Sequence, residues 1–327
     1  MAKHGKIKSY AKQHFVPQCY TKAWCDPRAP LGPKNTPYVW QFSPDGKNVR
    51  RKAPTKLFTE TDIYTITAAD GERDLRLEHG FQELEDRFTR IRNIRLERRQ
   101  WPNDEEMIFL LAFVATAHAR TAAFRNFHRD QWRNIRLRAE ELEAAMQSST
   151  PQQREAMRRA PKLGSDNQQG MTIDNIRQLE EKPIHMFLGP TLETVLPIYE
   201  RMHKAILCTD DPLGFVTTDS PVTWHNPNAY KLQPMFRNPG LGIRAIEVTL
   251  PLSPRQCLLL THNPEYKGYF DINEETVNML NKRHIFHCDE SFIACHDETK
   301  PFWFETEPMP EDAWERVRER KIASGEW

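Results

Sequence analysis

Four kinds of side chain could share one piece of chemistry: the imidazole of His14, the guanidinium of Arg120, the carboxylate of Asp219, and a carboxylate from Glu78 or Glu85. His14 lies in Gln13-His14-Phe15-Val16-Pro17-Gln18-Cys19-Tyr20, a polar and aromatic segment beside a proline that fixes the backbone. A histidine so placed can bind a metal, shuttle a proton or cap a neighbouring element, although a lone histidine is more often structural. Asp219 ends the strand-like run Thr217-Thr218, where Ser220-Pro221 forces a turn. Strand ends are where carboxylates serve as ligands or bases. The competing reading is an Asx-turn, with the carboxylate satisfying nearby backbone amides.

Arg120 follows an apolar run, Ile108 to Ala117, on the side of Phe109 and Phe113. Its surroundings predict partial burial, and a buried arginine needs a partner. Glu78, Glu85 and Asp219 are the candidates, or else an anionic ligand such as a phosphate. Glu78 and Glu85 stand seven residues apart, a rise of about 10 Å along a helix. Metal ligands lie about 2–2.5 Å from their ion, so at most one of the two belongs to a given metal site. Arg87, Arg90, Arg92, Arg95, Arg98 and Arg99 form one basic run, and Arg125, Arg129, Arg133, Arg136 and Arg138 another. Such runs attract phosphates, but more often they are solvated faces with interspersed acids. There is no phosphate-binding glycine loop, GxSxG elbow or HExxH motif.

The elements that must hold these groups follow from periodicity. Strands are predicted at Tyr38–Phe42 and Val49–Lys52 around the turn Pro44-Asp45-Gly46, and at Asp62–Thr67. Leu77, Phe81, Leu84, Phe88 and Ile91 recur at helical steps, giving an amphipathic helix from about Asp74 to Arg99. Trp101-Pro102-Asn103-Asp104 breaks it and caps the next helix, apolar all round through Val114 and continuing to about Met146. Residues 148–170 read as a surface loop, with helices at Asp174–Glu181 and Pro190–Met202 beyond it. Short β-branched runs then mark strands at Ala205–Thr209, Phe215–Thr218, Ala245–Leu250, Gln256–Thr261 and Ser291–His296. Helices near Glu274–His284 and Glu311–Arg320 complete the pattern. The fold class is therefore α+β: a mixed or antiparallel sheet built from N- and C-terminal segments, with a central helical block. Residues 1–12 read as a basic flexible tail and 13–327 as a single domain, its helical block at about 72–203 and its strand-rich part at about 204–300.

Composition narrows the classes. The chain of 327 residues is 39% hydrophobic and 28% charged, with a formal net charge of +1. Those values describe a globular chain and exclude a histone-like polybasic one. The longest apolar run is far short of the about 20 residues a bilayer span needs, so no membrane is expected. The basic N-terminus has no apolar stretch behind it, which is unlike a secretory signal. The six cysteines lack paired CxxC spacing and read as reduced core thiols of a cytoplasmic protein.

With these residues in view, the chain resembles the bacterial domain-of-unknown-function 4238 family. The resemblance rests on His14-Phe15-Val16-Pro17-Gln18 with Tyr20, Asp62-Ile63-Tyr64, Glu78, Glu85, Arg120-Thr121 with Arg125, Thr218-Asp219-Ser220-Pro221-Val222, Pro251-Leu252-Ser253-Pro254 and Asn281. It covers about residues 13–290. Ala122 stands where the family usually has proline, and TTDSP where it has TSDNP, with Asp219 retained. The resemblance implies that His14, Gln18, Arg120 and Asp219 lie together, without naming a reaction.

Two functions follow. In the first, a metal-assisted hydrolase of phosphodiesters, nuclease-like in effect, uses His14, Asp219 and Glu85 (Glu78 as the alternative) to hold a divalent metal ion that activates water. Arg120 would stabilise charge on the phosphoryl oxygens, and Gln18 and Arg125 would contact a nucleic acid or other phosphate-bearing ligand. In the second, a non-catalytic binding or sensing protein, the His/Arg/Asp cluster is structural or holds an anionic ligand.

Overall fold

The computed structural model describes residues 12–30, 35–67, 73–74, 76–159, 171–306 and 313–324. Of the basic N-terminal segment only Lys12 is among them, as the first residue of a strand. The N-terminal elements are β1 (Lys12–His14), α1 (Gln18–Thr21), β2 (Val39–Phe42), β3 (Val49–Lys52), β4 (Thr59–Thr61), β5 (Ile66–Thr67) and β6 (Arg73–Asp74). The helical block follows: α2 (Arg76–Ile94), α3 (Asp104–Ala119), α4 (Ala122–Gln147), α5 (Pro151–Arg159), α6 (Ile173–Glu181) and α7 (Pro183–Arg201). The last third holds β7 (His203–Cys208), β8 (Thr217–Thr218), β9 (Thr223–His225), β10 (Glu247–Ser253), β11 (Gln256–Thr261), β12 (Gly268–Asp271), α8 (Glu274–Phe286), β13 (Phe292–Ala294) and α9 (Ala313–Ser324).

The architecture is α+β, as expected. One sheet has the order β3-β2-β13-β8 and joins the N-terminal hairpin to two C-terminal strands. A second, β12-β7-β11-β10-β9, is antiparallel except for the parallel β12–β7 edge. The ribbons β1–β4 and β5–β6 accompany them. The β2–β3 hairpin turns at Gly46, whose φ of +71° suits a residue without Cβ. Asn103 and Glu106 cap each other's amides at the start of α3, a reciprocal box that fixes where the helix begins.

The core gathers around α3, which packs against α2 and α7. Phe113 of α3 stacks on Phe88 of α2, ring centroids 3.8 Å apart. The N-terminal segment reaches across to the strands. The Tyr20 hydroxyl donates to the Pro251 carbonyl at 2.7 Å and meets Thr217 Oγ1 at 2.6 Å. Trp24 Nε1 donates to the Phe215 carbonyl at 2.7 Å, and both rings are fully buried.

Several expectations are corrected. The long helix predicted through Met146 breaks after Ala119 and turns by 53° into α4. The break has a local cause: Thr121 adopts extended backbone and accepts the Phe124 amide on its hydroxyl, starting a new helix. Asp62–Thr67 is a turn leading into β5 rather than one strand, and Asp62 itself has a φ of +53°. The stretch read as loop after Ser148 forms α5, while residues 160–170 lie outside the described residues. Helix α7 begins at Pro183, seven residues early, and accommodates Pro190 and Pro197. Among the described residues, no single helix is long and apolar enough to cross a membrane.

Candidate functional site

Arg120 ends α3 and ties three segments together. Its side chain is 4% exposed; Nη1 donates to Glu85 Oε1 at 2.8 Å and Nη2 to the His14 carbonyl at 2.6 Å. Its own carbonyl accepts the Tyr64 hydroxyl at 2.7 Å, and the guanidinium lies over the Phe81 ring at 4.5 Å. Of the three carboxylates proposed as its partner, Glu85 is the one it meets. Two turns before Glu85, Gln13 fixes β1 on α2. Its Oε1 accepts the Tyr64 amide at 2.7 Å, and its Nε2 donates to Thr65 Oγ1 and to Glu78. Burial pushes the His14 imidazole below its ordinary pKa, against the opposing pull of the Pro54 carbonyl and Glu85. His14 Nε2 and Arg120 Nε are buried without hydrogen-bond partners among the described residues.

Asp219 does a different job. At 4% exposure its Oδ1 accepts the Asp289 amide at 3.0 Å, and its Oδ2 accepts the amides of Ser291, also at 3.0 Å, and Glu290. The carboxylate thus brackets the loop between α8 and β13 onto the end of β8. Desolvation raises its pKa, and the three amides oppose that rise. The reading in which this group satisfies backbone amides is the one the geometry follows, with amides some 70 residues away in sequence. Neither His14 nor Arg120 is among its partners, so the expected convergence of the three divides into two separate fixings.

The other two predicted residues fall elsewhere. Gln18 begins α1 half-buried, its carbonyl accepting Thr21 Oγ1, and its side-chain amide has no hydrogen bond among the described residues. Arg125 meets Glu60 at 2.5 Å beside a polar cavity of about 250 Å³ shared with Arg129, Lys182 and His185. The three carboxylates offered as metal ligands all have protein partners. Glu85 is engaged by Arg120, Glu78 by Gln13 and Asp219 by three amides. Among the described residues no three His, Cys, Asp or Glu side chains stand close enough to hold a metal ion. This donor set does not fit a divalent ion.

Thr121 and Ser220, both within segments that carry the family resemblance, do line one cleft of about 470 Å³. The bend after α3 brings His118, Phe124 and His128 to one wall, and the turn after Asp219 brings Ser220 and Trp224 to another. His118 stacks on Trp224 with centroids 4.6 Å apart and planes 11° from parallel. His128 packs on Phe124 at 4.3 Å and on Phe187 at 4.6 Å. Trp224 Nε1 donates to the Tyr199 hydroxyl at 3.0 Å, which locks the indole. Burial pushes the His118 imidazole down to about 4 and lowers His128 too, so both are neutral near pH 7. The Ser220 amide donates to Thr218 Oγ1 at 3.0 Å, while Ser220 Oγ is buried without a partner.

Chemically this cleft offers ring faces, neutral imidazoles and the unengaged hydroxyl of Ser220. Among the described residues no base is hydrogen-bonded to the Ser220 hydroxyl. Sequence reasoning passed over His118, His128 and Trp224. His118 and His128 flank a helix break whose only local signal is the Thr121 cap. A family model described as "Protein of unknown function (DUF4238)" matches residues 12–299, and the chain belongs to that family. No curated protein and no solved structure matches it.

Proposed function

Taking membership of that family as the premise, we propose that the chain is a non-catalytic binding protein whose aromatic cleft receives a small, flat, heteroaromatic molecule. The observation that carries this reading is the buried, unpartnered Ser220 hydroxyl beside two stacked, neutral imidazoles. Burying a hydroxyl unpaired is costly, and a ligand atom that hydrogen-bonds to it removes that cost. Neutral imidazoles each supply one donor and one acceptor, and ring faces supply stacking area to a flat partner. A cleft of this volume is within the range of small-molecule sites. In this reading His14, Glu85, Arg120 and Asp219 tie neighbouring segments together outside the cleft and take no part in bond making.

The hydrolase reading has less support. Its carboxylates are all engaged by protein donors. Its arginine runs are laced with acids, Arg87 meeting Glu83, Arg95 meeting Glu106, and Arg133 and Arg136 meeting Glu180. Titration of the full chain with adenine and with indole, followed by tryptophan fluorescence and calorimetry, tests the proposal. Saturable binding is expected, weakened by about tenfold in Ser220→Ala and lost in Trp224→Ala, as one hydrogen bond and one stacking face would give. Removing an unpaired hydroxyl leaves stability unchanged or improved. Divalent-ion-dependent degradation of nucleic acid by the purified chain, abolished in His14→Ala, would overturn the reading.

A further inference from the structure

A third cavity, of about 680 Å³, opens between α2, the segment after α1, and the ends of β7 and β10. Its walls carry four cationic side chains, Lys22, Arg92, Arg99 and Arg255, against two carboxylates, Glu97 and Asp210. Arg92 is the unusual one. It is 9% exposed, yet among the described residues it meets no carboxylate. Its Nη1 donates to the Cys19 carbonyl at 3.1 Å, its Nε reaches Asn93 Oδ1 only at 3.4 Å, and its Nη2 has no hydrogen-bond partner among the described residues. By contrast Arg120, Arg125 and Arg283, with side chains at most 15% exposed, meet Glu85, Glu60 and Glu247. Glu97 on the same wall acts on Arg92 electrostatically without making an ion pair, so the mostly buried charge is only partly answered, a cost that a bound anion would relieve.

We propose that this cavity is an anion site for a small molecule bearing a terminal phosphate, seated on Arg92. With Arg99 answered by Asp271, Lys22, Arg92 and Arg255 stand against Glu97 and Asp210, so the walls keep a net positive charge toward which a phosphomonoester, at about −1.5 to −2 near neutral pH, is drawn. With Nη1 on the Cys19 carbonyl, Nη2 leaves one arm of the guanidinium fork open to an arriving oxygen anion. Arg99 is held by Asp271 and Arg255 by the Asp211 carbonyl, so both stand fixed at the rim. The volume leaves room for a body beyond the phosphate. This site is separate from the aromatic cleft and shares none of its lining residues.

Calorimetric titration of the full chain with inorganic phosphate and with phenyl phosphate, against chloride at matched ionic strength, tests it. Both phosphates are expected to bind saturably and to raise the melting temperature, phenyl phosphate the more. Arg92→Gln should weaken both by about tenfold to a hundredfold, the loss of a charge-assisted pair, without lowering the melting temperature in chloride. Arg92→Lys, which keeps the charge and loses the fork, should fall between. If Arg92→Gln fails to fold, a phosphate affinity in Arg92→Lys equal to the parent's overturns the proposal. So does undiminished phosphate binding in a folded Arg92→Gln, or no saturable binding of either phosphate by the parent chain. A single-stranded oligonucleotide that competes far more tightly than phenyl phosphate would also overturn it, in favour of a nucleic-acid surface.

Discussion

Replacing Glu85 by alanine should destabilise the chain by about 3 kcal/mol without touching the aromatic cleft. The Arg120–Glu85 contact is 2.8 Å, which puts the charge centres about 4 Å apart, worth about 4 kcal/mol at an effective dielectric of about 20. Glu85 is 23% exposed, and water reaching it reduces that figure to about 3. The variant strands a guanidinium that is 4% exposed with only the His14 carbonyl as a partner, and stranding a buried charge costs roughly 3–5 kcal/mol. Urea unfolding followed by circular dichroism would show the midpoint falling by about 1 M at a slope of roughly 3 kcal/mol/M. The double variant Glu85→Leu/Arg120→Met removes both charges and should recover most of the loss. A single variant within about 0.5 kcal/mol of the parent would refute the structural role given to this pair, as would a double variant that loses the sum of the singles.

Two further outcomes follow. His118 is held at about 4 against an ordinary 6.5, so the unfolded chain takes up its proton first as the pH falls. Its neutral form therefore contributes stability that is full above about 6.5 and disappears by about 4, a difference of about 3 kcal/mol. His118→Asn should flatten the acid limb of a stability–pH curve by that amount, and an unchanged curve would contradict the burial assigned to the ring. Asp219→Ala leaves three backbone donors unsatisfied, at about 1–3 kcal/mol each where they are buried, so its melting temperature should drop sharply. Hydrogen exchange at Asp289–Ser291 should rise in the same variant, and protection there equal to the parent's would refute the bracket.

Much of the helical block is legible from periodicity, because α2 shows its apolar stripe to α3 and Asn103 announces the next helix. The hairpin of β2 and β3 is equally plain, since its turn residues are the ones a tight reversal requires. The bend at Arg120 is not, because the residues on both sides favour helix and only Thr121 speaks against continuity. The strands β9 and β12 are short and draw their identity from neighbours rather than from their own pattern. In the site, the need of Arg120 for a carboxylate follows from apolar surroundings, and Glu85 was within reach of that argument. The Asp219 bracket was not, since its three amides are backbone groups that no side-chain pattern reveals. Arg92 shows a signal that was passed over. It lies four residues beyond Phe88, on the apolar stripe of α2, although its neighbours suggested a solvated basic face.

The anchoring of Tyr20 and Trp24 has a consequence for synthesis of the chain. Both rings find their polar partners only at Phe215, Thr217 and Pro251. A ribosome adding about 5–20 residues per second needs on the order of ten to fifty seconds to travel from Tyr20 to Pro251. Throughout that interval Tyr20 and Trp24 have emerged and their seats have not. The segment that carries them is thus among the later parts to settle, and a nascent-chain chaperone would find its target there.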